Sequence, residues 1–471
     1  MQGTTQKGLS LKCDEAKPAC MNCTKSNRVC SGYAEGLDLV LRDQTKSTKS
    51  AVERRQKKSS REHSPSSGVL VTLGESEDTH ALCFLVSSYV TVSHDPRTDR
   101  GFLELLPHFF STLRSNTALS LALNAVANCL FAAWERRARY LETVGLRVAY
   151  GKALKATRAA ISDPIECLSD ETLMAVCLLG FYETVVSSYR AQVSTARHFN
   201  GAAALIKTRH NHVNRDLSKQ LTVAVRSAIV FRALHTRSPI DTTATLWQDP
   251  ADMPRNPGTI LDLMSVEVAN ILAHEKSVAL VGSLSDFTAM VKTAERRLAT
   301  WPDSVPQDWF PTRVPRKVVP KTVVDAGLYG DGCDIYSDVL VCCTWNEWRS
   351  TRLKLLSLMV KYEPDEESLA SIQHLADEIC ASFPFLLGDR KTPAPLYAVN
   401  VTYPSLEGQT VAAAHYQTAA AYGGWYMLEP LRQTIETGAY LREGQLQWIR
   451  SQGSRLADIY DVTVDKWRED N

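Results

Sequence analysis

The chain is expected to be all-α: a small cysteine-dependent module at the N-terminus, a disordered basic linker and one large helical body. Three observations carry this. Four of the twelve cysteines crowd between Cys13 and Cys30. Residues 34–68 are rich in Lys, Arg, Ser, Gln and Thr and almost free of aromatics. From about Val69 onward apolar residues recur with the helical period, and strand-like alternation is scarce.

With 471 residues, 44% hydrophobic and 22% charged, the chain can bury a sizeable core. Its net charge of +1 hides an asymmetry. Up to Gly68 there are thirteen basic and seven acidic residues, so that segment carries +6 and the remainder −5. A basic head on a mildly acidic body points to a polyanionic partner for the head. Residues 1–12 lack the apolar core of a secretory signal. The most apolar stretches, residues 81–92 and 118–134, are short or interrupted, so buried helices are expected and no membrane partner.

In chain order, residues 1–33 are polar and cysteine-dense, with the spacing Cys13-x6-Cys20-x2-Cys23-x6-Cys30. Thiolates in a Cys-x2-Cys pair clamp one ion from a single turn, and four thiolates suit tetrahedral zinc. A disulfide knot is disfavoured in a reducing compartment, and the segment has too few hydrophobic residues to bury loose thiols. Residues 34–68 cannot bury enough apolar area to offset chain entropy. Within them Arg54, Arg55, Lys57, Lys58 and Arg61 form a basic run suited to nuclear import or to phosphate contact, or simply to a solvated linker.

The body, 69–471, should be built from helices near 117–161, 194–209, 262–282, 286–301, 335–360, 364–382, 408–434 and 443–462. Ser169 should cap a helix whose apolar stripe includes Leu173, Val176, Cys177, Gly180 and Phe181, with Gly180 admitting a neighbouring helix. A helix through Leu217, Leu221, Val225 and Ala228 should stop before Pro239. The Pro-rich stretch 302–320 is expected to be a surface connection. Trp345 and Trp348 are expected to anchor helices, His198 to be packed, and Gly423-Gly424 to permit close packing. The eight body cysteines are expected to be free buried thiols. Nucleophile elbows and phosphate loops are missing, so no enzyme and no catalytic residue is predicted.

The run Cys13-Asp14-Glu15 through Pro18, Cys20, Cys23 and Cys30-Ser31-Gly32-Tyr33 resembles the second half of a fungal binuclear zinc-cluster transcription-factor head. The resemblance implies Cys13, Cys20, Cys23 and Cys30 as Zn2+ ligands. The family's first Cys-x2-Cys pair and its base-reading basic residues would precede Cys13, where the chain has Gln6-Lys7-Gly8-Leu9-Ser10-Leu11. A missing upstream coding segment is the expected explanation, loss of DNA reading the alternative. In this chain Lys12, Lys17, Lys25 and Arg28 are left as phosphate contacts with double-stranded DNA. The body is similar to the fungal-specific transcription-factor regulatory region through Ser169-Asp170-Glu171-Thr172-Leu173, His198 to Ile206, Trp345-Asn346-Glu347-Trp348-Arg349, Ile379 to Phe385, Gly423-Gly424-Trp425 and Gln447-Trp448-Ile449. That likeness implies a nuclear regulator of RNA polymerase II genes that meets transcription-machinery proteins. A homodimer is open, since no heptad repeat follows the cluster. The alternative is a protein- or ligand-binding regulator without DNA contact.

Overall fold

The computed structural model describes residues 21–27, 77–90, 95–98, 100–135, 144–189, 197–209, 216–242, 245–247, 253–281, 283–391 and 400–460. The chain divides between Gly74 and Glu75, and the two units are described separately. Of the first unit only residues 21–27 are described. They form the one-turn helix α1, Met21–Lys25, closed by the Ser26 amide donating to the Cys23 carbonyl at 3.2 Å.

Among the described residues the second unit is all-α apart from one small sheet. Its first half is organised on α3, Ala118–Trp134, whose leucines and alanines are nearly all buried. Around α3 pack α2 (Glu77–Tyr89), α4 (Val144–Ser162) and α5 (Asp170–Tyr189). The Oγ1 of Thr117 caps α3 by accepting the Ser120 amide at 3.2 Å. Ser169 caps α5 as expected, its Oγ accepting the Thr172 amide at 3.1 Å. By length and composition α5 is apolar enough to cross a membrane, but most of its apolar window is buried among neighbouring helices. Gly180 admits α6 (Arg197–Thr208), because a side chain there would meet the Phe199 ring at 2.9 Å.

A pair of long helices, α7 (Asp216–Thr236) and α8 (Pro257–Val281), leads into the second half. Here α11 (Val339–Tyr362) is the axis, flanked by α9 (Leu284–Ala299), α12 (Glu366–Leu387) and α14 (Gly424–Glu436). Short Asp caps start two of them. Asp338 accepts the Leu340 amide at 2.7 Å, and Asp365 accepts the Ser368 amide at 2.8 Å. The chain then runs through α13 (Ala413–Thr418) and a π-helical turn at Ala419–Gly423 into α14, and on to α15, Gln445–Tyr460. Among the described residues the buried side chains form two large hydrophobic clusters, one per half, and Ile229 and Trp247 pack against both.

The stretch 302–320 runs over the surface as expected, with ten of its nineteen residues exposed, but Val305, Trp309, Val314 and Val319 pin it inward. The indoles of Trp301, just before it, and of Trp309 are fully buried. Trp301 donates to the Pro257 carbonyl at 2.8 Å, Trp345 to the Trp309 carbonyl at 2.9 Å and Trp348 to the Leu298 carbonyl at 2.9 Å. Three indoles thus fasten four segments while burying large apolar area, and each N–H finds a partner. Farther along, β1 (Thr312–Pro315) pairs antiparallel with β2 (Gly332–Ile335), Val314 facing Cys333. A helix, α10 (Lys321–Gly327), lies between them in sequence. No body thiol forms a disulfide; Cys83 is exposed and Cys167 half-buried, while the other six are buried as expected.

Candidate functional site

Of the residues the sequence nominates, Cys23 and Lys25 are described. Cys13, Cys20, Cys30, Lys12, Lys17, Arg28, Arg54, Arg55, Lys57, Lys58 and Arg61 lie outside the described residues, as does the proposed linker. On α1 the Cys23 thiol is buried, whereas Met21, Thr24, Lys25, Ser26 and Asn27 are exposed. Lys25 stands in the last turn, where a cation is favoured. Asn27 reverses the chain with φ 50°, a conformation Asn tolerates better than most residues. An inward-turned sulfur in an otherwise exposed polar turn fits a thiolate zinc ligand, and the donor set Cys13, Cys20, Cys23 and Cys30 has the chemistry that zinc takes.

In the body, a small cleft of about 20 Å³ lies between α7 and the first turns of α8. Asn256 and Thr259 start α8 reciprocally, the Asn256 Oδ1 accepting the Thr259 amide at 2.9 Å and the Thr259 Oγ1 accepting the Asn256 amide at 2.8 Å. Arg226 is buried on the cleft wall, donating through Nε to the Leu246 carbonyl at 2.6 Å with its guanidinium over the Trp247 ring. Across from it Asp262 accepts from Arg100 at 3.1 Å and from the Ser227 hydroxyl. Arg100 also pairs with Glu347 of α11. Burial raises the Asp262 carboxyl above its ordinary range and the Glu347 charge adds to that, while Arg100 opposes it.

A second polar knot joins three helices of the first half. The Tyr150 hydroxyl donates to Glu183 Oε1 at 2.8 Å and meets His198 Nε2 at 3.0 Å, and His198 lies 3.2 Å from Glu183. The Tyr150 ring stacks on Tyr182 at 4.6 Å. Burial, then the bond to Glu183, pushes the Tyr150 phenol up. His198 is therefore held by protein partners, in keeping with the packed role expected for it. Its signal in sequence was a lone histidine, which gave no hint of Tyr150 or Glu183.

The π turn is built by a single side chain. In an α-helix the Gly424 amide would donate to the Ala420 carbonyl. Instead it donates to the Tyr460 hydroxyl at 3.2 Å, and that hydroxyl donates to the Ala420 carbonyl at 3.1 Å. Inserting a group into the i→i−4 ladder is a recognised cause of such bulges. Glycine is required on both sides. A Cβ at Gly424 would run into the Tyr460 ring, and one at Gly423 would stand 2.6 Å from the Leu386 carbonyl. Arg390, buried beside them, donates to Ala420 at 3.3 Å and to the Tyr403 hydroxyl at 3.4 Å. Neither Tyr460 nor Arg390 carries a sequence signal, because their partners lie tens of residues away.

Among the described residues no group of three or more His, Cys, Asp or Glu side chains gathers to hold a metal. No protein family, curated protein or solved structure matches the chain.

Proposed function

We propose that the chain is a zinc-dependent, DNA-binding regulator of RNA polymerase II genes acting in the nucleus, with a helical body that controls its output. The observation that supports this reading is the spacing Cys13-x6-Cys20-x2-Cys23-x6-Cys30 in a segment too polar to bury those sulfurs otherwise. The likeness of that run to a fungal binuclear zinc cluster, and of the body to the accompanying regulatory region, supports it further. Cys13, Cys20, Cys23 and Cys30 would hold Zn2+. The ion would supply the fixed tetrahedral anchor around which so short a segment folds. Lys12, Lys17, Lys25 and Arg28 would neutralise phosphates, which sets affinity and orientation and leaves base reading to other residues. The basic run Arg54, Arg55, Lys57, Lys58 and Arg61 would serve nuclear entry. No catalytic residue belongs to this reading.

A second reading is favoured by one observation. The stretch before Cys13 holds no Cys-x2-Cys pair and only Lys12 as an adjacent base. On that reading the chain regulates through protein or ligand contacts without touching DNA.

Zinc content and duplex binding measured on the same preparation test the proposal. The chain should retain about one zinc, against about two once an upstream Cys-x2-Cys pair is supplied. Its binding to mixed-sequence duplex should weaken with salt at a log–log slope of about −3 to −4, as four phosphate contacts require. Cys23→Ser should abolish both. Zinc-free protein that still binds duplex, or zinc-loaded protein that binds none even with the upstream pair, overturns the proposal.

A further inference from the structure

We infer that the outer face of α4 is a docking surface for an acidic amphipathic helix of a partner protein. This helix carries Arg147, Lys152, Lys155 and Arg158 and no acidic residue, on a body whose net charge is negative. Leu146, Ala153, Thr157 and Ala160 turn inward, and all four basic residues are exposed on the remaining surface. From Arg147 to Arg158 the charges run about 16 Å along the axis, some three turns.

Exposed aliphatic side chains accompany the charges. Val144 is 78% exposed and Val148 47%, Ile161 in the last turn is 42% exposed, and Ile165 past the C-terminal end is 80% exposed. Val144 and Ile165 are the most exposed large hydrophobic side chains among the described residues. Between these ends sits Gly151, also exposed, on the side opposite the buried stripe with Val144, Val148 and Lys155. A Cβ at Gly151 would meet nothing within 4 Å. Glycine is the poorest helix former after proline, and nothing inside the chain calls for one there. What a bare backbone at the centre of an exposed face provides is close approach for another helix.

These features choose among partners. Phosphate backbones would use the four basic residues but not the aliphatic ends or the gap at Gly151. A lipid surface would favour bulky side chains at the centre of the face. A second copy docking through the same face would set like charges against each other. An incoming helix with carboxylates toward Lys152, Lys155 and Arg158, and apolar residues toward Val144 and Val148, satisfies all of them. The inference stands apart from the zinc-cluster reading.

Fluorescence anisotropy on the intact chain decides it. The probe is a labelled Glu- and Leu-rich peptide of about four helical turns, with a Lys-for-Glu version, a mixed-sequence duplex and phosphatidylserine vesicles as parallel arms. The acidic peptide should bind, the Lys version should not, and added zinc chelator should leave binding unchanged. Lys152→Glu with Lys155→Glu should weaken it by about tenfold or more at low salt. Gly151→Leu should raise the melting temperature, since the site is open and leucine favours helix, yet block the peptide. That opposition separates docking from a structural role. The inference fails if Gly151→Leu leaves peptide binding intact, if both peptides bind alike, or if neither binds. It fails equally if the double variant loses duplex or vesicles while keeping the acidic peptide.

Discussion

The Tyr460 hydroxyl occupies the break in the helical ladder before α14, taking the amide proton of Gly424 and giving its own to the carbonyl of Ala420. One phenol at the end of α15 thereby sets the pitch of a turn on another element. Tyr460→Phe should strand the Gly424 amide, while the Ala420 carbonyl keeps its bond from Arg390, at a cost of about 1–3 kcal/mol. Urea unfolding gives the magnitude, and hydrogen exchange at Gly424 should accelerate. A fully protected Gly424 amide in the variant would mean that the turn has simply reverted to α-helix.

Arg100 neutralises two acids at once, Asp262 and Glu347, and all three are largely buried. Arg100→Met should therefore leave two carboxyls facing each other and destabilise the body by about 3–5 kcal/mol near pH 7.5. The sign of the pH dependence follows from the carboxyls. Burial already lifts the Asp262 pKa, and loss of the arginine lifts it further, so protonation relieves the repulsion as pH falls. The deficit against the parent chain should shrink by pH 5, as thermal melts at the two pH values would read out.

His415 lies between the rings of Phe385 and Tyr403, each centroid 4.5 Å away, and its Nε2 is buried without a partner. Burial pushes this imidazole down to about 4. A depressed folded value contributes stability above the unfolded value of about 6.5, and that contribution is lost as pH falls toward 4. Partial exposure of the side chain limits it to about 2 kcal/mol. His415→Phe should flatten the fall in stability between pH 6.5 and 4. An unchanged slope would assign the fall to other groups.

Local signals in the sequence survived well where one side chain acts on its own backbone. Ser169 caps α5 at the expected residue, α7 stops at Thr236 before Pro239, and Gly180 receives α6. Trp345 and Trp348 anchor helices as their spacing in an apolar stripe suggested. What failed depended on partners distant in sequence. The segment 302–320 is the surface connection its prolines suggested, but nothing in it announced that Trp309 is drawn inside and donates to Asp95 at 2.7 Å. A helix expected from 335 begins instead at Val339, since 332–335 pairs as β2 and Asp338 makes the cap. Four-residue strands are too short to show a period of two. The stretch 117–161 read as continuous, but α3 ends at Trp134 and α4 begins at Val144. For the cysteine module, spacing speaks to ligand chemistry alone, and α1 adds the inward turn of Cys23.

Ile229 and Trp247 rest on the hydrophobic clusters of both halves of the body. Neither half can be excised as a free-standing fragment without leaving a greasy scar where those two side chains sat. Calorimetry should accordingly trace a single endotherm for the whole body, and a lesion deep in either half should lower the melting point of both together.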